Sequence, residues 1–330
     1  MYLTGGILLC AGFGSRLAPL TEGVPKPAIP FCGVPMAHYA RRVLEAACVE
    51  DMGMNVHHLP DQMIEAMNGG TWCDGTRQMH ISREGDAILG TGGGAARVAD
   101  SMPTLARFII YHGDVLCGAD LSDALESHIQ SGARVTLVVL PRPQEVNENV
   151  RRSLGMIGVK NSEIVLIRDW AKRNCDLSHY TPRCFAGIHI VERSLLDEIP
   201  KNKNVCLVTQ IYKSMLERGE PIHAWEPQNP VFFADVGTPA TYLQAQREAL
   251  QKDRLQAPDR LTFFDRPRLL LDDAEEPSVA FGQLSLPDNI QMGQNVCLCQ
   301  GANVHANETL SQEMRFCRGG IRLNGAWIQA

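Results

Sequence analysis

Apolar runs and polar breaks alternate over the first 250 residues in lengths typical of an α/β protein. A buried strand is predicted at residues 7–11, and the helical spacing of apolar residues predicts a helix over 35–48. Further strands are predicted near 51–59, 78–82, 108–112, 134–140, 156–159, 164–167, 185–191 and 231–234. Further helices are predicted near 60–68, 121–131, 193–199, 207–218 and 239–251, and one is predicted to follow the glycines at 90–94 with free N–H groups at its start. The alternation predicts an α/β domain with a mixed, mostly parallel sheet.

Beyond residue 252 the pattern changes. Residues 253–276 are charged and loop-like, and residues 277–310 carry short apolar steps between glycines and asparagines. Their spacing faintly resembles the hexapeptide turns of a left-handed β-helix over one or two coils. We therefore divide the chain into a large domain at 1–252 and a C-terminal region at 253–330. The C-terminal region is predicted to be a short β-rich appendage that serves packing or contacts within a homo-oligomer.

Composition narrows the class of protein. The 330 residues are 45% apolar and carry a formal net charge of -6, without a run of lysines and arginines, so broad nucleic-acid binding is disfavoured. There is no uninterrupted apolar run of about 18 residues and no secretory signal pattern, so we expect a cytoplasmic protein without a membrane segment. The eleven cysteines are scattered without a Cys-x-x-Cys pair and favour buried thiols over a disulfide framework.

The break after the first strand contains closely spaced glycines. Gly12 and Gly14 allow backbone N–H groups to approach a bulky anion, and Arg16 follows where a guanidinium meets phosphate. Ten residues later Lys26 lies between two prolines, whose fixed φ angles restrict where its ammonium group can go. Glycines and cations in this order predict a site for a phosphorylated ligand.

Two aspartates are predicted at the ends of strands. Asp114 follows the strand at 108–112, and Asp235 follows the strand at 231–234, just before a Thr-Pro pair that fits the start of a helix. Ligands of open α/β sheets bind at the carboxyl ends of strands. Both aspartates are therefore predicted where a ligand binds, and carboxylate and phosphate oxygens are ligands that suit Mg²⁺.

The combined pattern Gly-x-Gly-Ser-Arg-Leu-x-Pro-Leu-Thr-x-x-x-Pro-Lys-Pro at residues 12–27 resembles the sugar-1-phosphate nucleotidyltransferase family, the NDP-sugar pyrophosphorylases. The segment Leu-Gly-Thr-Gly-Gly-Gly at 89–94, the Gly-Asp pair at 113–114 and the Asp-Val-Gly-Thr-Pro segment at 235–239 are similar to further motifs of this family. The resemblance covers about residues 1–250 and implies a Rossmann-like nucleotidyltransferase domain.

The resemblance also implies an activity. A sugar 1-phosphate attacks the α-phosphorus of a nucleoside triphosphate, pyrophosphate leaves, and Mg²⁺ is the cofactor, held by Asp114 and Asp235. Arg16 and Lys26 are the implied catalytic residues. The implied nucleotide-binding residues are Ala11, Gly12, Gly14, Ser15, Glu84, Gly90, Thr91 and Gly92, and Gly187 is implied to line the sugar pocket.

Two departures from the family pattern leave the substrates open. The family's Glu-Lys-Pro segment is absent, and residues 167–173 offer Arg168 and Lys172 as replacement positive charges for the acceptor. The residue that selects the base is often a glutamine in the family, whereas this chain has Glu84 nearby. The same reaction with a non-sugar phosphate as acceptor therefore stays an alternative. A non-catalytic regulatory protein that binds a nucleotide sugar is another. A nicotinamide-dependent dehydrogenase is disfavoured because Leu17 stands where a third glycine belongs.

Overall fold

The computed structural model describes residues 3–31, 34–70, 77–141 and 156–250 and six short strands between 268 and 316. In chain order the first fourteen strands are β1 (Thr4–Leu9), β2 (Pro30–Phe31), β3 (Val34–Pro35), β4 (Asp51–Val56), β5 (His80–Arg83), β6 (Arg107–His112), β7 (Val115–Cys117), β8 (Val135–Pro141), β9 (Met156–Lys160), β10 (Glu163–Ile167), β11 (Trp170–Ala171), β12 (Thr181–Glu192), β13 (His223–Trp225) and β14 (Phe233–Asp235). The α-helices are α1 (Met36–Ala46), α2 (Pro60–Ala66), α3 (Gly90–Ala99), α4 (Leu121–Ser131) and the segments Arg193–Asp197, Lys213–Arg218 and Pro239–Leu250.

Ten of these strands form one mixed sheet in the order β11-β10-β13-β8-β12-β6-β1-β4-β5, and β9 pairs with β10 and β12. β1 lies parallel to both β4 and β6, and β4 lies parallel to β5. The long strand β12 is antiparallel to β6 and β8. The predicted mixed α/β sheet is confirmed; its parallel pairs are those within β6-β1-β4-β5 and the pair β13-β8, and the other pairs are antiparallel.

Alternate residues of the central strands pack into two separate cores, one on each face of the sheet. On β6, Ile109 and Tyr111 join the core formed with α1, α2 and α4, whereas Phe108 and Ile110 join the core formed with α3 and the helices of residues 193–218. All four side chains are 0% exposed. Burying a side chain of this size contributes about 1.5–3 kcal/mol, so the sheet is stabilised from both faces.

Local sequence signals mark the starts and ends of the helices as expected. The Asp120 side chain accepts a hydrogen bond from the Ser122 amide at 2.9 Å and caps α4. Thr238 caps the last helix, because its hydroxyl accepts from the Thr241 amide at 3.2 Å. The segment Lys213–Arg218 ends at Gly219, whose φ of 77° is left-handed.

In the C-terminal region the strand at 268–270 pairs antiparallel with that at 278–280, and the other described pairings are parallel with a constant spacing. Val279 pairs with Cys297, and Cys297 pairs with Arg315, so successive strands lie 18 residues apart. This spacing equals three hexapeptides, yet most of residues 253–330 lie outside the described residues, as do 142–155. The β-helix-like appendage and its role in a homo-oligomer stay predictions.

Candidate active site

The glycine loop begins where β1 ends at Leu9, two residues before the predicted end of the strand. The amide of Cys10 donates to Oδ1 of Asn55 at 2.9 Å, so a side chain replaces the backbone partner of a neighbouring strand. Gly14 has a left-handed φ of 63°, and a Cβ there would lie 2.6 Å from Cβ of Lys26. Glycine therefore lets the loop pass directly against the lysine.

A cavity of about 200 Å³, which we call the loop cavity, opens beside this loop. The N–H groups of residues 11–14 have no hydrogen-bond acceptor among the described residues, as a site for an anion requires. The lining residues are Leu9, Ala11, Gly12, Gly14, Lys26, Pro27, Asn55, Ile88, Gly90, Thr91, His112 and Asp114. This set includes most of the predicted nucleotide-binding residues, whereas Ser15 is exposed outside it.

Glu84 lies behind the loop cavity. It is 7% exposed, and its carboxylate accepts from Nδ2 of Asn55 and from the amide of Leu89, both at 2.7 Å. Both carboxylate oxygens are therefore engaged in joining β4 to the start of α3. A direct contact between Glu84 and a nucleotide base stays a prediction. Asn55, which the sequence analysis missed, connects Glu84 to the glycine loop.

The second glycine cluster differs from the expectation of a helix that follows it with free N–H groups. Helix α3 starts within the cluster at Gly90, and the amides of Gly92 and Gly93 donate to the carbonyl of Val205 at 2.8 and 3.3 Å. A Cβ on Gly93 would lie 2.4 Å from the Lys203 carbonyl oxygen, so the glycines serve close packing. Gly92 is buried and does not line the loop cavity, and its contact with a nucleotide stays a prediction.

Lys26 and Asp114 form an ion pair with Nζ and Oδ2 2.7 Å apart. The lysine side chain is 6% exposed and the aspartate 35%, so the buried ammonium supports a carboxylate that opens to the cavity. Burial opposes the charge on Asp114, but Lys26 and His112 outweigh it and lower the pKa of this carboxyl group. Asp114 is thus kept ionised at neutral pH.

Asp235 lies beside Asp114 despite their distance in sequence. β14 pairs antiparallel with β7 and places Asp235 opposite Val115, the residue after Asp114. Paired residues in such strands have Cα atoms about 4.5–5.5 Å apart. Within the described residues, the Asp235 carboxylate makes neither a hydrogen bond nor an ion pair. The carboxylate oxygens of Asp114 and Asp235 are ligands that suit a hard cation.

A second cavity, of about 290 Å³, contains both aspartates and is called the sheet cavity here. Its lining residues are Arg16, Thr91, His112, Asp114, Val115, Leu137, Ile157, Ile167, Arg168, Phe185, Gly187, Cys206, Val208, Thr209, Phe233 and Asp235. It shares Thr91, His112 and Asp114 with the loop cavity. The two cavities therefore adjoin at these three residues.

The sheet cavity contains three of the residues predicted for catalysis and for the acceptor: Arg16, Arg168 and Gly187. A Cβ on Gly237 would lie 3.7 Å from both Nη1 of Arg16 and Oδ1 of Asp235, so Arg16 lies close to the second aspartate. Lys172 does not line the cavity, because its ammonium pairs with Glu163 on β10. A contact between Lys172 and the acceptor stays a prediction, and it would require this ion pair to break.

Three further residues, which no sequence motif had indicated, also line the sheet cavity: His112, Cys206 and Thr209. Burial lowers the pKa of His112, although the charges of Asp114 and Asp235 oppose this. Burial raises the pKa of the Cys206 thiol, but hydrogen bonds from Thr209 and Thr91 outweigh it and lower that pKa. The position of His112 directly before the Gly-Asp pair was the one available signal.

The sequence profile of a family described as "Nucleotidyl transferase" matches residues 5–252. The chain belongs to this family. The match spans all fourteen strands from β1 to β14 and every residue that lines the loop cavity and the sheet cavity. The family resemblance seen in the glycine loop is thereby confirmed over residues 5–252.

Curated relatives share about a quarter of their residues with this family member. A mannose-1-phosphate guanylyltransferase of Mycobacterium tuberculosis is 28% identical over 246 residues, which are 74% of this chain and 64% of that protein. A UTP--glucose-1-phosphate uridylyltransferase of Synechocystis is 26% identical, over 75% of this chain and 63% of that protein. The chain thus matches just under two thirds of the length of these relatives.

Solved structures show the same fold. The crystal structure of HddC from Yersinia pseudotuberculosis complexed with GMP-PN has a TM-score of 0.58 at 19% identity, and the match covers 76% of this chain and all of that one. A putative glucose-1-phosphate thymidylyltransferase from Bacillus anthracis gives a TM-score of 0.59 at 19% identity, covering 76% of this chain and 96% of that one. Within the described part of this family member, no helix is long and apolar enough to cross a membrane.

Proposed function

We propose that this protein transfers a nucleoside monophosphate from a nucleoside triphosphate to a sugar 1-phosphate and releases pyrophosphate. The observation that carries the proposal is the Lys26–Asp114 ion pair at the junction of two cavities, with Asp235 beside it. One cavity is bordered by backbone N–H groups that have no acceptor in the part of the chain that the structure describes, and the other by strand side chains. A reaction that joins two phosphorylated substrates needs this kind of charged junction between two binding spaces.

The chemistry is an in-line displacement. A phosphate oxygen of the acceptor forms a bond to the α-phosphorus, the bond between that phosphorus and the oxygen that bridges to the β-phosphate breaks, and pyrophosphate leaves with the electron pair. The attacking oxygen is already anionic, so no protein nucleophile is required. In this mechanism the loop amides hold the triphosphate, Lys26 meets the α-phosphate, and Arg16 neutralises charge from the sheet cavity.

Asp114 and Asp235 would hold Mg²⁺. Nucleotidyltransferases generally use a divalent metal ion, and this pair fits one because Oδ1 of Asp114 and the whole carboxylate of Asp235 have no donor among the described side chains. No group of three or more His, Cys, Asp or Glu side chains suited to a metal occurs in the described part of the chain. Phosphate and water would supply the other ligands, and the bound ion would neutralise phosphate charge.

The acceptor is assigned to the sheet cavity. Gly187 has a φ of 72°, and Arg168 has a guanidinium 5.7 Å from the centre of the Trp170 ring. Arg168 is the cation proposed to meet the acceptor phosphate, since Lys172 is engaged by Glu163. The relatives are named for two nucleobases and two sugars, so their names do not select the base or the sugar here. A phosphate acceptor other than a sugar 1-phosphate stays the alternative.

Pyrophosphate release is the direct test. ATP, CTP, GTP, UTP and dTTP are each combined with a panel of sugar 1-phosphates and non-sugar phosphates, with MgCl₂ or with EDTA in excess. We expect release that requires one triphosphate, one acceptor and Mg²⁺ together. Release with non-sugar phosphates alone would select the alternative acceptor. Tight nucleotide-sugar binding without release in any combination would contradict the proposal and favour a regulatory protein.

A further inference from the structure

Three side chains link the buried core to the junction of the two cavities. The Tyr212 hydroxyl lies 2.9 Å from Nδ1 of His189, and Nε2 of His189 lies 3.2 Å from Nε2 of His112. Tyr212 and His189 are both 0% exposed, while His112 lines both cavities. The three groups form a continuous hydrogen-bonded chain, because each imidazole nitrogen within it faces the next polar atom.

The chain determines where the protons lie when the imidazoles are uncharged. A neutral imidazole has one N–H donor and one acceptor nitrogen, so the contact between the two Nε2 atoms contains one proton. The Tyr212 hydroxyl has no acceptor other than His189 among the described residues, and an undonated buried O–H costs free energy. Tyr212 therefore donates to Nδ1 of His189, His189 donates from Nε2 to His112, and His112 carries its proton on Nδ1.

We propose that His112 donates its Nδ1–H to a substrate phosphate oxygen where the loop cavity and the sheet cavity meet. His189 and Tyr212 are positioning residues that fix this tautomer. The proposal deepens the proposed function and rests on it. Nδ1 is the remaining polar atom of a ring that lines both cavities, and it has no partner among the described residues.

The position of the ring supports this role. Phe185 packs against the His112 ring with centroids 6.1 Å apart and an interplanar angle of 88°, and the His189 ring lies 5.3 Å away. These contacts restrict rotation of the imidazole before substrate binds, as a preorganised donor requires. The opposite tautomer would direct a lone pair toward the phosphate oxygens and repel them. Tyr212 and His189 thus act on the substrate only through His112.

Substitutions at His112 distinguish the roles of its two ring nitrogens. The amide of His112→Asn reaches the position of Nδ1, whereas the amide of His112→Gln reaches that of Nε2. We expect His112→Asn to retain kcat within about threefold, and His112→Gln and His112→Ala to lose about tenfold or more, as for a lost hydrogen bond to a charged group. Equal losses in His112→Asn and His112→Ala would overturn the proposal. Circular dichroism and thermal melting verify that each variant is folded.

The tautomer itself is measurable without activity. In ¹⁵N spectra of histidine-labelled protein, the signals of His112 are identified as those that disappear in His112→Asn. We expect these signals to show that Nδ1 of His112 is protonated and that its Nε2 is not. Tyr212→Phe should give a mixture of tautomers and a lower kcat with little change in KM. Tyr39→Phe is the matched control, since its buried hydroxyl bonds the Phe31 carbonyl instead. A protonated Nε2 in the unsubstituted protein overturns the inference. If that protein shows the expected tautomer but no pyrophosphate release, the proposed function fails.

Discussion

The two sides of the site are built in different ways. The loop cavity is formed largely by backbone and small residues within two short segments, the glycine loop and the start of α3. The sheet cavity is formed by side chains from strands that are far apart in the chain, including β8, β9, β10 and β12. The comparison teaches that, in the proposed reaction, local backbone geometry would recognise the triphosphate. An assembled surface would recognise the acceptor.

The cations of the two sides differ as well. Lys26 is 6% exposed and held against Asp114, so its position is fixed before substrate arrives. Arg168 rests beside Trp170 on a turn at the edge of the sheet, where its φ is 56°. A change at Lys26 or Asp114 should therefore affect every substrate pair. A change at Arg168 should affect the acceptor alone.

The largest expected effect is at the junction of the two sides. Asp114→Asn removes the partner of Lys26 and one of the two proposed metal ligands, and we expect kcat for pyrophosphate release to fall about a hundredfold or more. Asp120→Asn makes the same chemical change at the cap of α4, outside both cavities, and should retain nearly full activity. Wild-type release by Asp114→Asn would remove the basis of the mechanism.

A smaller effect is expected at Gly14 on the triphosphate side. Gly14→Ala must adopt a left-handed φ, which costs about 1–2 kcal/mol, and its Cβ would overlap Lys26. We expect KM for the triphosphate to rise about tenfold to thirtyfold and the free energy of unfolding to fall. Gly23→Ala is the matched control, since a Cβ there meets no atom within 4 Å. Steady-state kinetics and urea unfolding distinguish the two variants.

On the acceptor side, Arg168→Ala tests selectivity. We expect KM for the acceptor to rise about tenfold, since a charge-assisted hydrogen bond is worth about 1.5–3 kcal/mol, while KM for the triphosphate stays unchanged. Lys172→Ala should leave both constants near their original values, because its ammonium faces Glu163. If Lys172→Ala raised the acceptor KM as much as Arg168→Ala, our assignment of the acceptor cation would be refuted.

The smallest effect concerns stability in acid on the triphosphate side. Burial, with Arg41 nearby, lowers the pKa of His38 on α1 to about 4, below the usual 6.5 of the unfolded chain. The unfolded state therefore binds more protons between these values, and stability falls as pH falls through this range. His38 is expected to lower the free energy of unfolding by about 1 kcal/mol as the pH falls from 6.5 to 5.5. In urea unfolding, the free energy of unfolding of His38→Gln should fall less steeply with decreasing pH than that of the unsubstituted protein. The exposed His179→Gln is the control and should keep the original slope. Equal slopes in the unsubstituted protein and both variants would contradict the prediction.

The sequence predicted the secondary structure well where local signals dominate. The bounds predicted for α4 agree with Leu121–Ser131, because an aspartate caps its start and a left-handed Gly132 follows its end. The start of α3 was misplaced, because glycines usually end helices, and here tertiary packing against residues 203–205 favours them inside one. The ion pair of Lys172 was not predicted for a similar reason, since its partner Glu163 becomes a neighbour only through the pairing of β10 with β11.

By itself, the sequence determined the glycine loop, the helix caps and the identity of the charged residues, because these depend on interactions over a few residues. Only the tertiary structure decided that Lys26 contacts Asp114 across 88 residues, that Asp235 lies beside them, and that His112 ends a chain from Tyr212. Strand order and register bring these side chains together. Neither is encoded in any local pattern, because pairing partners are selected by the packing of the whole sheet.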